Sequence, residues 1–531
     1  MQEVSQAWKN VHKQTLLNES FVEVSLDITD PDALASASSI DNGSAYISDT
    51  PEVVSEVNTP TISYGTLEQN MWVLNGTRRS IPETEYKDGG FIGDVLSNEE
   101  GIFDLKIPTV TITFPEVHAK VIPGLTITWG TAYQEYATDF IVTAYNGNTV
   151  VAEKEVRDNN LVVSIVALDI ENYDSIAIRV LRWCLPNHRA RIDEIFVGWN
   201  KVYSKTDLMK YSHEQTVDPI STALPKMEIR FSIDNSNNSY NPLNPDSMAK
   251  YLTERQEVKT RYGLKLSDGT VEWIKGGTFY LSEWYALQNG ISADFVARDL
   301  LEFMSARYKD EVTEITERSL YDLAEEVLQA ADLPLNSDGT TKWVIDDSLK
   351  DIKTKAVLPD DTIANCLQMI ANAGCCVLYP DRSGILHIEP IKSESTDYKI
   401  TPFNSYSKSE ITLSKALKQV AVKVYSYSIE DDGVKSTAIE NISQVGDTGE
   451  IITIDNPLIT DSNRATILGD WIGNYLKQRM TMKSTGRADV RLDALDIVSN
   501  ENEFDTNSMR MTNVKFEFNG AFRGSGEGRV I

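Results

Sequence analysis

The sequence predicts a mainly β, multidomain protein with a small α+β portion in its second half. Three observations carry that expectation. Apolar and polar residues alternate in short runs over most of the chain, from residues 21–28 (FVEVSLDI) to residues 509–518 (MRMTNVKFEF), the period of a half-buried strand. Turn formers punctuate these runs, as at Asn146-Gly147-Asn148, Ser267-Asp268-Gly269 and Gln288-Asn289-Gly290. Helical periodicity is confined to a few stretches between residues 300 and 480. At 531 residues the chain exceeds what one hydrophobic core serves, so about three to five domains are expected.

The first segment, 1–60, holds one strand at 21–28, with Val22, Val24, Leu26 and Ile28 on one face; a Ser/Asp/Asn-rich stretch follows. Residues 61–200 read as all-β. Strand-like runs at 110–114, 125–129, 140–145, 161–168, 175–181 and 192–197, separated by turns, form the pattern of a β-sandwich. Residues 201–305 continue in β character. Residues 227–233 (MEIRFSI) alternate cleanly into Asp234-Asn235 and a polar loop closed by Asn241-Pro242, and further strands are expected at 257–266, 270–274, 279–287 and 291–297.

Residues 306–400 form an α+β region. Leu320, Leu323, Ala324, Val327, Leu328 and Ala331 share one helical face, with Ser319 placed as N-cap and Pro334 as the stop. A second helix spans 361–373, and a hairpin follows at 375–379 and 385–389. The last segment, 401–531, returns to β, with strands at 416–428, 453–454, 490–498 and 509–518 around one helix at 461–480. Its Gly-rich end, residues 520–528 (GAFRGSGEG), is expected to follow the last strand.

The formal charge of −29 argues against a nucleic-acid binder, which needs a basic surface to neutralise phosphates. No apolar run is long enough for a membrane span, and residues 1–17 show no apolar signal core or cleavage site. The cysteines Cys184, Cys366, Cys375 and Cys376 form no CxxC pair and read as buried free thiols, as in a protein folded in a reducing cytoplasm.

Residues 201–305 carry a resemblance. Phe231-Ser232-Ile233-Asp234-Asn235, Tyr240-Asn241-Pro242, the run 276–284 (GGTFYLSEW) and Ala297-Arg298-Asp299-Leu300-Leu301 resemble the tail-hub proteins of bacteriophages. These are the baseplate-hub or tail-associated proteins, with relatives in contractile injection systems. Trp471, Tyr475 and Leu476 on a helix, the Asp-rich run 491–498 and Phe516-Glu517-Phe518-Asn519-Gly520 look like the same proteins. The resemblance covers roughly residues 200–531. It implies two small β-barrels side by side with α/β domains between them, the first barrel drawing strands from before residue 60. It also implies a homotrimer whose six barrels match the tail tube, located in the virion at the tail tip and assembled in the host cytoplasm. Its implied partners are the tube, distal-tail proteins and tail fibre or receptor-binding proteins.

Residues 61–200 then read as an insertion in the first barrel. Residues 124–129 (GLTITW), Asp139-Phe140-Ile141-Val142, Tyr173-Asp174-Ser175-Ile176 and 189–198 resemble a galactose-binding-type jelly roll, the layout of carbohydrate-binding modules.

Catalytic chemistry finds little footing. The five histidines, His12, His118, His188, His213 and His387, fall in no metal-binding spacing, and no GxSxG, Walker-type or GxGxxG motif occurs. The expectation is a non-enzyme without metal or cofactor. Tyr133, Tyr136 and Trp183 are candidate saccharide contacts, since an aromatic face suits a pyranose ring; packing within the sandwich is the alternative for each. Arg189, Arg191 and Asp193 read as fixing an edge strand. Asp234, Asn235, Tyr240, Asn241 and Asn289 are candidates for barrel loops at assembly interfaces. The oxygen-rich loop 234–241 lacks the EF-hand pattern and is explained by Asx turns.

Overall fold

The computed structural model describes the chain except residues 15–17, 31–38, 42–52, 55–64, 73–74, 77–89, 245–246, 288–289, 311–313, 337–339 and 431–432. Strand dominates, as the alternation predicts. Outside the sandwich and the α+β body, the strands run as one continuous ladder with two arms. The first arm begins at the strand Ser20–Thr29, which buries Val22, Val24, Leu26 and Ile28. It pairs antiparallel with Glu257–Lys265, and the ladder continues through Val271–Ala286, Ser292–Arg298 and Lys226–Asp234 to Leu208–Thr216. The second arm starts on the other edge of Leu208–Thr216, where Thr506–Phe518 pairs with it. It continues through Phe522–Val530 and Met480–Arg487 to Glu410–Leu413. Ile497–Glu501 branches from Thr506–Phe518 and takes Ser395–Ile400 as a parallel neighbour.

Both arms share one apolar core, to which the helix Gln6–His12 adds Trp8 and Val11. Among the described residues the ladder closes neither arm into a barrel. The reason is that Leu208–Thr216 spends one edge on each arm, and the outer edge of Ser20–Thr29 is taken by Arg189–Tyr203.

The sandwich sits on that outer edge. One sheet has the order Ser39–Asp41, Thr109–His118, Tyr173–Trp183, Ala137–Asn146, Thr149–Val156; the facing strands are Phe91–Leu96, Arg189–Tyr203, Ile122–Trp129 and Val163–Ile170. Trp129, Phe140, Tyr173 and Trp183 fill the space between. The strand Arg189–Tyr203 belongs to both bodies: residues up to Val197 pair with Ile122–Trp129, and from Gly198 onward with Ser20–Thr29. Gly198 has φ +134°, and a Cβ there would lie 2.4 Å from the Ile28 carbonyl oxygen, so the changeover of partners needs glycine.

This moves two expected boundaries. The division at residue 61 lies too late, because Ser39–Asp41 pairs with a sandwich strand and Val53 is in the sandwich core. The division at 200 falls inside a continuous strand.

The third body is α+β. The helix Leu320–Gln329 carries the expected apolar face, Ile363–Ala373 is the second expected helix, and Ser319 and Thr362 cap them by accepting from Asp322 and Asn365 N–H. They pack on a sheet of Trp343–Ile345, Leu386–Glu389 and Val377–Pro380. The long hairpin Leu417–Glu430 and Gly433–Gln444, with Glu450–Ile454 parallel to it and the helix Ser462–Leu476 behind, belongs to this same core. Residues 401–531 are therefore not one domain: 417–476 join the α+β body, and the segments around them join the second arm.

Three expected elements differ. The strands expected at 270–274 and 279–287 are one strand, Val271–Ala286. Residues 490–496 are not strand; only Ile497–Glu501 is. Asp489 accepts from Arg491 N–H and Asp496 from Asp493 N–H, so carboxylates take donors that a ladder would use. The glycine-rich end is itself a strand, Phe522–Val530, turned at Gly520 and paired on both edges.

Candidate functional site

The two arms and the α+β body meet where Leu208–Thr216 joins the arms, and a polar cluster is buried there. Strand alternation turns Tyr211, His213 and Gln215 to the same inner face. His213 is fully buried; its Nδ1 lies 2.7 Å from the Tyr262 hydroxyl, which is 2.7 Å from that of Tyr211. Burial, reinforced by the Arg382 cation, pushes the His213 pKa down to about 3, so the ring is neutral. Gln215 reaches from His213 Nε2 to Asp493 and accepts from Ala494 N–H.

Arg382 enters from the α+β body on the turn between Val377–Pro380 and Leu386–Glu389. That turn is built by Asp381, whose Oδ1 accepts from Ser383 and Ile385 N–H. The Arg382 guanidinium donates to Asp493 at 2.6 Å and to the carbonyls of Lys275, Val490 and Leu492 at 3.0, 2.8 and 2.7 Å. It also lies over the rings of Tyr262 and Phe516. Burial alone would raise the Asp493 pKa; the Arg382 charge outweighs it and holds the carboxyl below its usual range. A cleft of about 470 Å³ opens beside Arg382, lined by Tyr379, Glu389 and Lys392 on one side and Asp397, Arg491 and Asp496 on the other.

None of this cluster was singled out in the sequence. The signal that could have found it is a histidine inside a strand-period run beside a glutamine, with an Asp-rich segment that breaks strand pattern.

The loop after Lys226–Asp234 holds most of the expected interface residues. Asp234 is exposed and accepts from Ser236 N–H at 3.0 Å; Asn237 and Asn241 repeat the motif toward Ser239 and Leu243, which are the Asx turns expected. Asn235 and Tyr240 are buried. Asn235 accepts from Tyr240 N–H at 2.9 Å, and the Tyr240 hydroxyl bonds that of Tyr203. Asn235, Tyr240 and Asn241 therefore build the loop rather than face a partner, a correction that follows from their burial. What faces outward at this end is apolar: Leu243, Tyr285, Leu287 and Ile291 are 61–71% exposed. Asn235 N–H donates to the Ile291 carbonyl, which ties the two loops together. Asn289 lies outside the described residues.

In the sandwich, the candidate saccharide residues separate. Trp183 is 1% exposed and its indole N–H donates to Glu135 at 2.8 Å, so it presents no face to a ligand; this corrects the expectation. Tyr136 is half-buried against the core. Tyr133 is half-buried with its ring 4.6 Å from the Arg191 guanidinium. Arg191 donates to Glu68, and Glu135 receives the His188 ring at 3.0 Å. Arg189 N–H donates to Glu68 and Asp193 accepts from Thr131 N–H. The charged residues of this strand thus fix the segments around 65–72 and 130–136.

Among the described residues no group of three or more His, Cys, Asp or Glu side chains is placed to hold a metal, and no helix is long and apolar enough to cross a membrane.

No family model and no curated protein sequence matches the chain. Solved structures similar to it include a tail protein from Neisseria meningitidis, at 11% identity over 62% of this chain and 94% of that one, TM-score 0.42. A 43 kDa prophage tail protein from Shewanella oneidensis is similar at 11% identity over the same shares, TM-score 0.39. A prophage tail protein from Listeria monocytogenes is similar at 11% identity over 62% of this chain and 91% of that one, TM-score 0.37.

Proposed function

We propose that this chain is a structural subunit of a bacteriophage-type tail tip, a hub that closes the end of the tail tube as a homotrimer. In this reading it helps attach the particle to its host and open the channel for DNA, and its work is geometric, not catalytic. The observation that carries the reading is the joining of two β units side by side through Leu208–Thr216. The motif residues behind the resemblance lie on that framework. Phe231 and Phe295 stack in the first arm, and Asp299 caps the short helix Leu300–Ser305. The apolar loop ends at Leu243, Tyr285, Leu287 and Ile291 supply a surface for the tube or a distal-tail protein, since exposed apolar patches of this kind mark interaction sites.

Light scattering and negative-stain imaging of the purified chain test this. A trimer with a central channel supports it. A monomer that also fails to bind tail tubes lacking their tip would sink it.

A second reading rests on Tyr133, which offers a half-exposed ring held over a cation at one end of the sandwich. A distal-tail or receptor-binding subunit would use such a ring to grip host cell-wall saccharide. Measurable glycan affinity that disappears in Tyr133→Ala separates this reading from the first.

A further inference from the structure

We propose that the turn carrying Arg382 is a latch: it fixes the α+β body against the second arm, and the cleft beside it widens when its hydrogen bonds are released. The argument is the unequal way the α+β body meets the two arms. Against the first arm the joint is apolar, with Ile220, Tyr280, Leu300 and Met304 lying in the same core as the helices Leu320–Gln329 and Ile363–Ala373. Hydrogen bonds reinforce it, from Asn372 Nδ2 to the Ile220 carbonyl and from Ser221 Oγ to the Cys376 carbonyl.

Against the second arm, no side chain of residues 480–531 belongs to that core. The joint there is polar: Arg382 onto Val490, Leu492 and Asp493, Arg510 onto the Lys392 carbonyl, and Arg529 onto the Gln478 carbonyl. Water replaces polar partners at small net cost, whereas uncovering apolar surface has no such compensation. The first joint is therefore the hinge side and the second the side that opens. The cleft of about 470 Å³ already separates the bodies on that side, so widening it uncovers little apolar area. The covalent connections at 390–395, 413–417 and 476–480 limit the travel.

Four of the Arg382 guanidinium's hydrogen bonds converge on this joint, one to a carboxylate and three to main-chain carbonyls. Arg382 thereby links the α+β turn to the first arm at Lys275 and to the second arm at Val490, Leu492 and Asp493. The inference does not depend on the tail-tip reading; in a tail tip it would give the subunit a defined point of opening.

Hydrogen exchange on the full chain tests it, comparing wild type with Arg382→Gln. The expected result is exchange faster by about tenfold or more in residues 380–384 and 490–495, with the interiors of both helices unchanged, as in a local opening. Unchanged exchange at the turn would overturn the latch. So would acceleration spread evenly through Leu320–Gln329 and Ile363–Ala373, which would make Arg382 a general stability residue. Asp493→Asn, which leaves the three carbonyl bonds intact, keeps the test usable if Arg382→Gln does not fold. It should accelerate the same two segments to a smaller extent, and no local acceleration in it would equally overturn the proposal.

Discussion

Arg191 and Arg382 are each 3% exposed, yet they hold different things. Arg191 lies inside the sandwich and answers to carboxylates of its own body, Glu68 and Glu135. Arg382 crosses from one body to another and answers mainly to main-chain carbonyls. The first arrangement neutralises charge within a domain and orders its loops; the second ties separately cored bodies together. Burial alone does not say which role an arginine plays. The chemistry and origin of its acceptors do.

The largest effect expected from this comparison is in the sandwich. Arg191→Leu leaves Glu68 buried without its cation, while Glu135 keeps His188, and stripping one partner from a buried pair costs about 3–5 kcal/mol. Denaturant unfolding followed by the fluorescence of the buried Trp129 and Trp183 reads this directly. Adding Glu68→Gln to Arg191→Leu should recover part of the loss. A loss below about 1 kcal/mol would mean that the cluster is solvated in practice and the contrast with Arg382 is wrong.

The two regions should also answer acid in opposite directions, because the pKa values of their buried histidines are shifted in opposite directions. Burial alone would lower the His188 pKa, but the Glu135 carboxylate outweighs it and raises it. His188 therefore contributes stability that is full below about 6.5 and lost as pH rises through its raised value. His213 is depressed to about 3. Its contribution is full above about 6.5 and falls as the unfolded chain, but not the fold, takes up a proton. That loss amounts to about 2 kcal/mol by pH 5. Hydrogen exchange at pH 7.5 and 5, corrected for intrinsic rate, should show protection falling around Leu208–Thr216 and holding or rising around residues 130–136. Parallel changes in both regions would break the comparison.

Legibility in the sequence follows the same division. The apolar frame was readable because it rests on local period. The alternation at Val22, Val24, Leu26 and Ile28 and the helical face from Leu320 to Leu328 stand as expected. The Asx turns at Asp234 and Asn241 were readable because each is closed within two residues. What was missed joins residues far apart in the chain. Arg382 sits in an ordinary hairpin turn and meets Asp493 across more than a hundred residues. The run 490–496 looked like strand because its side chains alternate, and only the carboxylate-to-backbone bonds exclude it. The strand Leu417–Glu430 is legible as a strand, but period says nothing of which core receives it, and that core is the α+β body's. Among the site residues, Trp183 is ambiguous in the sequence because an aromatic on a strand has the same pattern whether it faces inward or outward, and the fold buries it.

The smallest effect expected sharpens the role of Tyr133. Its ring covers Arg191 at 4.6 Å, and a partly exposed cation–π contact is worth about 0.5–1 kcal/mol. Tyr133→Leu keeps much of the apolar cover and removes the ring's electrostatics, so the sandwich should lose no more than that in the same denaturant experiment. The variant then serves a second measurement without the complication of unfolding. If the ring only shields the Arg191–Glu68 pair, binding of cell-wall saccharide by the full chain is the same with or without it. If the ring is a contact surface, affinity falls severalfold while stability barely moves, because a stacked sugar touches the outer face of the tyrosine and Arg191 the inner one. A loss of several kcal/mol would contradict both outcomes. It would mean that Tyr133 is needed to keep solvent from the buried ion pair, and that the sandwich cluster is held from its surface inward.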